Sequence, residues 1–287
     1  MLKFKLQTST FSCTFLCLTL FSSFSLVSSL SFSQENHSYV QRGETSLELS
    51  LYAPSITPDT GNKSNRPIIL FAHGGGFSAG SRLQSKNHVF CESLESKGFH
   101  VASIDYRLRQ KQDGFNCDIA IEDKREAIAW AAEDLLDAWI YLQTLGFKHA
   151  ILAGSSAGAE AALFAAYNNE GPGIEGVISL SGAMEPLQSN NQSIPLLAFH
   201  GVCDQLVPYG EGMHHFCPES SPGALLLNGG GALAEYLPNT RLIAYENKGH
   251  ELSVELLSDS AAHAAIALFI RDIQSNVPIA QSTFIPF

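Results

Sequence analysis

The chain has 287 residues, of which 45% are hydrophobic and 16% charged, a balance that suits one α/β domain with a large core better than two small domains. Its formal net charge of −11 disfavours nucleic acid and anionic membrane surfaces as partners. The cysteine spacings contain no paired C-x-x-C of the kind that binds a structural metal.

Residues 1 to 33 carry Lys3 and Lys5, then an uncharged Phe/Leu/Ser/Thr stretch ending in Ser31-Phe32-Ser33. This pattern predicts a cleaved secretory signal, with the mature domain at 34 to 287 and a secreted or periplasmic location. The competing reading is a retained anchor, which the small residues Ser31 and Ser33 and the high serine content disfavour. Removing Lys3 and Lys5 takes the net charge from −11 to −13. Secretion makes Cys91, Cys117, Cys203 and Cys217 possible disulfide partners, with free buried thiols as the alternative; their connectivity does not follow from spacing.

In chain order, the alternation in Ser46 to Tyr52 predicts a half-buried edge strand, followed by a Pro/Asn/Gly/Ser loop to Asn65. Pro67 to Ala72 is continuously apolar, as in a strand buried on both faces of a parallel sheet. It runs into His73-Gly74-Gly75-Gly76-Phe77, where a glycine run lets successive backbone N–H groups converge on one oxyanion. An amphipathic helix is expected at Asn87 to Lys97, with Val89, Phe90 and Leu94 on its apolar face, and a strand at His100 to Ile104 leading into Asp105-Tyr106-Arg107. In Ile121 to Thr144, Ala127, Ala131, Leu135 and Ala138 recur at helical spacing, and Lys124, Arg125, Glu133, Asp134 and Asp137 read as a solvated face.

Residues 149 to 167 read as a short strand, a sharp turn and an alanine-rich helix, with Gly154-Ser155-Ser156-Ala157-Gly158 fitting G-x-S-x-G. Glycines two positions either side of Ser156 suit a strand that reverses into a helix over one residue. A second match, Gly76-Phe77-Ser78-Ala79-Gly80, does not come directly off a strand, so Ser156 is the candidate nucleophile. A serine hydroxyl needs a base, an acid that orients the base, and oxyanion donors. Strands at Gly176 to Ser181, Ile194 to Phe199 and Leu242 to Tyr245 follow. The second ends in His200-Gly201-Val202-Cys203-Asp204 and the third in Glu246-Asn247-Lys248-Gly249-His250, ahead of a final helix from Leu252 to Phe269 that contains His263. Asp204 and His250 lie where catalytic side chains collect in parallel sheets. The adjacent His214 and His215 are expected to face different ways, which argues against a metal pair.

Together these motifs, from about 44 to 271, resemble the His-Gly-Gly-Gly esterase/lipase branch of the α/β-hydrolases. The resemblance implies a mostly parallel sheet with helices on both faces and no large cap domain. It implies Ser156 as nucleophile, His250 as general base, Asp204 as orienting acid and the amides of Gly75, Gly76 and Ala157 as the oxyanion hole, with no cofactor or metal. His-Gly-x-x-Asp followed by Val207-Pro208-Tyr209 is similar to the acid loop of feruloyl- and acetyl-esterase-like members. The implied reaction is hydrolysis of short-acyl, aromatic or polysaccharide-linked esters, with no nucleic acid partner and no stable membrane association after signal cleavage. A lipase for longer acyl chains, a prolyl-oligopeptidase-type peptidase and an inactive binding module are the alternatives. The excursion from Gln205 to Asn239 is expected to wall the pocket.

Overall fold

Apolar runs long enough to fill several strands, separated by helices, give a layered α/β architecture in the computed structural model of the protein. Residues 33–54, 66–168, 171–186, 192–279 and 282–284 are described, in one compact unit. The expected signal segment, but for Ser33, lies outside them, as does 55–65 of the expected loop. β1 (Ser33–Arg42), β2 (Thr45–Ala53) and β3 (Ile68–Ala72) open the chain, followed by α1 (Ser85–Glu95), β4 (Val101–Ile104) and α2 (Ile121–Thr144). β5 (Ala150–Ser155) enters α3 (Ala157–Asn168), then come β6 (Ile174–Leu180), β7 (Ala183–Met184) and β8 (Leu196–Gly201). β9 (Glu211–Met213), β10 (Leu226–Gly229) and α4 (Gly230–Tyr236) form an excursion before β11 (Thr240–Tyr245), α5 (Leu252–Glu255), α6 (Ser260–Gln274) and β12 (Ser282–Phe284).

The large sheet has the order β1-β2-β4-β3-β5-β6-β8-β11-β12. Its pairings from β4 onward are parallel, and β1 and β2 add an antiparallel edge. Successive side chains of a strand point to opposite faces, so each central strand feeds two cores. Ile68, Leu70 and Ala72 of β3 pack with α2 and α3 residues such as Ala131, Leu135 and Ala161. Ile69 and Phe71 pack on the other face with Phe90 and Leu94 of α1 and Ile266 and Ile270 of α6. Truncating a side chain such as Phe71 to alanine would cost about 3–5 kcal/mol, since the cavity cannot close in a sheet covered on both sides. No single helix among the described residues is long and apolar enough to cross a membrane.

Several local expectations are corrected. Strand β2 is not an edge strand, because the polar segment β1 pairs with it from Ser33↔Ala53 to Arg42↔Thr45, and Ser50 and Tyr52 are buried as a result. On α1 the apolar face is Phe90, Cys91 and Leu94, whereas Val89 is exposed. The face of α2 read as solvated contains two fully buried charges. Lys124 Nζ donates to the Gly223 carbonyl at 2.7 Å, and the Asp134 carboxylate accepts from Arg42 Nε at 3.0 Å and from the Arg107 backbone N–H at 2.8 Å. The final helix is broken at Asp259, whose Oδ1 accepts from the Ala261 and Ala262 N–H groups and caps a new helix, α6. His263 is buried within it.

Candidate active site

The elbow is built by close contact as much as by backbone freedom. A Cβ on Gly158 would stand 2.1 Å from the Ala72 carbonyl oxygen, and one on Gly154 would stand 2.2 Å from Gly158 itself. Any side chain at either position would push α3 away from β3 and β5. Between them Ser156 adopts φ 51°, a left-handed conformation that a non-glycine residue holds only where its surroundings over-determine it. Its N–H donates to the Leu180 carbonyl at 2.9 Å, and its own carbonyl accepts from Ala159 and Glu160, starting α3.

Ser156 Oγ lies 2.8 Å from His250 Nε2, and His250 Nδ1 lies 2.7 Å from Asp204 Oδ2. A carboxylate can only accept, so Nδ1 carries the proton and Nε2 is free to accept the serine hydroxyl. Asp204 is buried, and its Oδ1 accepts from the Leu206 and Val207 N–H groups, each at 2.9 Å. His200 completes the shell. Its Nδ1 accepts from the Gly230 N–H at 3.1 Å, so Nε2 carries the proton and faces the Val207 carbonyl at 3.2 Å and Asp204 Oδ2 at 3.6 Å. Burial alone would raise the Asp204 pKa, but the nearby His200 N–H and the bonds from His250 and the Leu206 amide hold it far below the usual carboxylate range. The loops after β8 and β11 are knit together by Val202 N–H to the Tyr245 carbonyl and Cys203 N–H to the Lys248 carbonyl, both 2.9 Å, which brings Asp204 beneath His250.

The glycine run after β3 is held from below. Gly75 has φ 130°, and a Cβ there would stand 2.0 Å from the Ala79 carbonyl oxygen, so only glycine fits. The His73 ring stacks on Tyr106 at 4.4 Å, its Nδ1 donates to the Gly74 carbonyl at 2.8 Å, and the Tyr106 hydroxyl donates to the His73 carbonyl at 2.8 Å. Burial lowers the His73 pKa, which keeps this ring neutral. Asp105 anchors the loop's far end through the Arg82 N–H at 2.8 Å and the Arg82 guanidinium. Gly75, Gly76 and Ala157 line the same cavity as Ser156 and His250, about 770 Å³ in volume. Ser78 also borders it, but its hydroxyl donates to the Gly75 carbonyl at 3.1 Å.

More of the cavity wall comes from residues to which the sequence reading gave no individual role in the chemistry. Leu206, Val207, His214 and His215 belong to the excursion expected to wall the pocket, and Phe115 and Glu160 join them. The excursion's β9 and β10 join β7 in a small antiparallel sheet of order β7-β10-β9. A disulfide between Cys117 and Cys217 ties the Phe115 loop to the segment bearing the two histidines, while Cys91 and Cys203 are free. The expectation that His214 and His215 face apart is corrected: His215 has φ 56°, and this left-handed turn stacks the two rings at 4.1 Å. Among the described residues no group of three or more His, Cys, Asp or Glu side chains is placed to hold a metal. Glu160 could have been found from spacing alone, since four residues after Ser156 on a helix is the same face. Its carboxyl is buried, and the loss of water pushes its pKa up to about 8 against the opposing pull of Lys124.

A family model described as BD-FAE matches residues 51–184, from β2 through the elbow to β7. The chain is 29% identical over 191 residues to 3-O-acetylpapaveroxine carboxylesterase CXE1 of Papaver somniferum, covering 60% of this chain and 58% of that protein. It is 34% identical over 143 residues to Carboxylesterase 20 of Arabidopsis thaliana, covering 49% and 40%. It thus spans about half the length of the curated relatives it matches. Among solved structures, Thermogutta terrifontis esterase 2 phosphorylated by paraoxon superposes with a TM-score of 0.57 at 18% identity, over 86% of this chain and 95% of that one. The shared architecture is the α/β-hydrolase fold, and the family match and these relatives are esterases to which the chain is similar.

Proposed function

We propose that the protein is a secreted serine esterase that cleaves small or polymer-linked carboxylic esters through an acyl-enzyme. The observation that carries this reading is the unbroken hydrogen-bond chain from Ser156 Oγ, on the cavity wall, through His250 to the buried Asp204. In the first half-reaction His250 Nε2 takes the Ser156 proton as Oγ attacks the ester carbonyl. The carbonyl oxygen, now an anion, is met by the amides of Gly75, Gly76 and Ala157. Each such donor is worth roughly 10²–10³ in turnover. Collapse breaks the bond to the alcohol oxygen, which leaves with the proton from His250. Water, deprotonated by the same nitrogen, then attacks the acyl-serine and releases the acid. Asp204 holds the ring in the required tautomer throughout and stabilises the transient imidazolium.

Short acyl groups fit this reading in that His214 and His215 set polar rings into the cavity wall beside Phe115 and Val207. The acetyl ester in the name of the Papaver somniferum relative agrees with it. A disulfide supports passage through an oxidising compartment. Hydrolysis of a p-nitrophenyl ester series tests both parts of the proposal. Rates should peak between acetate and butyrate, disappear in Ser156→Ala and persist in Ser78→Ala. A kcat/KM still rising beyond octanoate would point instead to a lipase.

A further inference from the structure

We infer that Glu160 and His214 form a polar subsite inside the catalytic cavity that binds a hydroxyl group carried by the substrate; this rests on the ester-hydrolase reading above. Both side chains are buried and both line the cavity that holds Ser156. Glu160 follows Ser156 by one helical turn, and side chains on a helix lean toward its N-terminus, so the carboxyl is directed to the nucleophile's side. Its Oε1 stands 3.9 Å from His214 Nε2, beyond hydrogen-bond reach, while Glu160 Oε2 and His214 Nδ1 have no partner within the protein. Leaving a polar atom buried and unbonded costs about 1–3 kcal/mol, and here the cost falls on two residues facing one cavity.

The chemistry of the wall selects the ligand group. His214 is held in place on three sides, by its N–H donating to the Leu225 carbonyl at 2.8 Å, by stacking on His215 and by the edge of Phe115 at 4.8 Å. Lys124 stands behind Phe115, with Nζ 5.3 Å from the ring centre, and donates to the Gly223 carbonyl. Burial lowers the His214 pKa well below its usual value and raises that of Glu160, so both groups favour their neutral forms. Two neutral groups beside a lysine are a poor receptor for an ammonium. A hydroxyl, which donates one hydrogen bond and accepts others, can satisfy both. A site built to bond a hydroxyl rejects the analogue without it far more strongly than an apolar pocket rejects a missing methylene.

The hydroxyl can lie on the acyl or the alcohol side of the ester, and two matched pairs separate these. The first is p-nitrophenyl 3-hydroxybutyrate against p-nitrophenyl butyrate, with the 3-aminobutyrate ester as a cationic control. The second is glycerol 1-butyrate against propyl butyrate. In one pair the wild-type enzyme should favour the hydroxylated member at least tenfold in kcat/KM. That ratio should approach one in Glu160→Leu and fall part of the way in Glu160→Gln, which preserves size if the leucine variant does not fold. Binding without turnover is read on Ser156→Ala, whose melting temperature should rise more with the hydroxylated member of the responding pair. Ratios below tenfold in both pairs, a ratio that survives both substitutions, or a stronger preference for the amine would overturn the inference. An enzyme that turns over every ester without such a preference fails this inference alone. If no ester is hydrolysed, the esterase reading fails, and the melting-temperature comparison still decides the subsite.

Discussion

The loop after β8 and the first turn of α3 each bury a carboxyl group beside the same cavity, and the two groups have opposite fates. Asp204 accepts from two backbone amides and His250, with His200 close by, and is held ionised far below the usual range. Glu160 has one oxygen without a protein partner and a distant histidine, and burial pushes its pKa up to about 8. Both residues are almost wholly shielded from solvent. The number and direction of donors decides which carboxyl is an anion, and so which can steady an imidazolium and which can only exchange hydrogen bonds with a ligand.

The first way to break this comparison is to remove what Asp204 serves. Ser156→Ala should lower turnover by on the order of 10⁶, measured as steady-state kcat on p-nitrophenyl butyrate. Next, Asp204→Asn keeps the shape of the acid loop but presents the wrong partner to His250 Nδ1, and should cost roughly 10⁴ in kcat. Near-normal turnover in that variant would transfer the orienting role to another acid, with Glu246 first in line.

The Glu160 side of the cavity is held by the disulfide, whereas the Asp204 loop is held by its own hydrogen bonds. Replacing Cys117 and Cys217 by serine opens a loop of 100 residues and should cost about 2–5 kcal/mol in denaturant unfolding. The variant should lose selectivity among esters before it loses the ability to be acylated.

The smallest effect sharpens the comparison through pH. Glu160 has a folded pKa near 8, above its ordinary value of 4.5, so between those values the folded protein holds a proton that the unfolded chain has lost. Stability attributable to this group therefore falls as pH rises from about 4.5 to about 8. Asp204 has the opposite sign. Its depressed pKa contributes stability above about pH 4, which is lost as pH falls through the folded value. Glu160→Gln should thus gain on wild type in unfolding free energy as pH rises from 5 to 8, by a few kcal/mol at most, with its melting temperature rising relative to wild type over the same range. A constant difference across that range would mean that Glu160 is ionised in the folded protein.

The part of the site legible in the sequence is the part that sits at strand ends. Ser156, Asp204 and His250 each follow an apolar run, and Gly75 and Gly76 follow another, so parallel topology alone brings them to one edge. Helix α2 was legible to the residue because buried residues such as Ala127, Ala131, Leu135 and Ala138 recur at helical spacing within its 24 positions. What was not legible depends on partners distant in the chain. β1 has a polar sequence and exists because β2 offers it a ladder. Lys124 is buried because Gly223, 99 residues later, supplies a carbonyl. The stacked His214 and His215 rings depend on a left-handed residue that is neither glycine nor asparagine. Glu160 was in view within the elbow but looks like any helix carboxylate until the wall opposite it is in place.

The central claim is that Ser156 is the residue acylated. Peptide mapping after treatment with a fluorophosphonate probe tests it most directly. The account predicts a single modified serine, Ser156, at one equivalent, with labelling lost in Ser156→Ala and greatly slowed in His250→Ala. Labelling at Ser78, or an active esterase that does not label at Ser156, would contradict it.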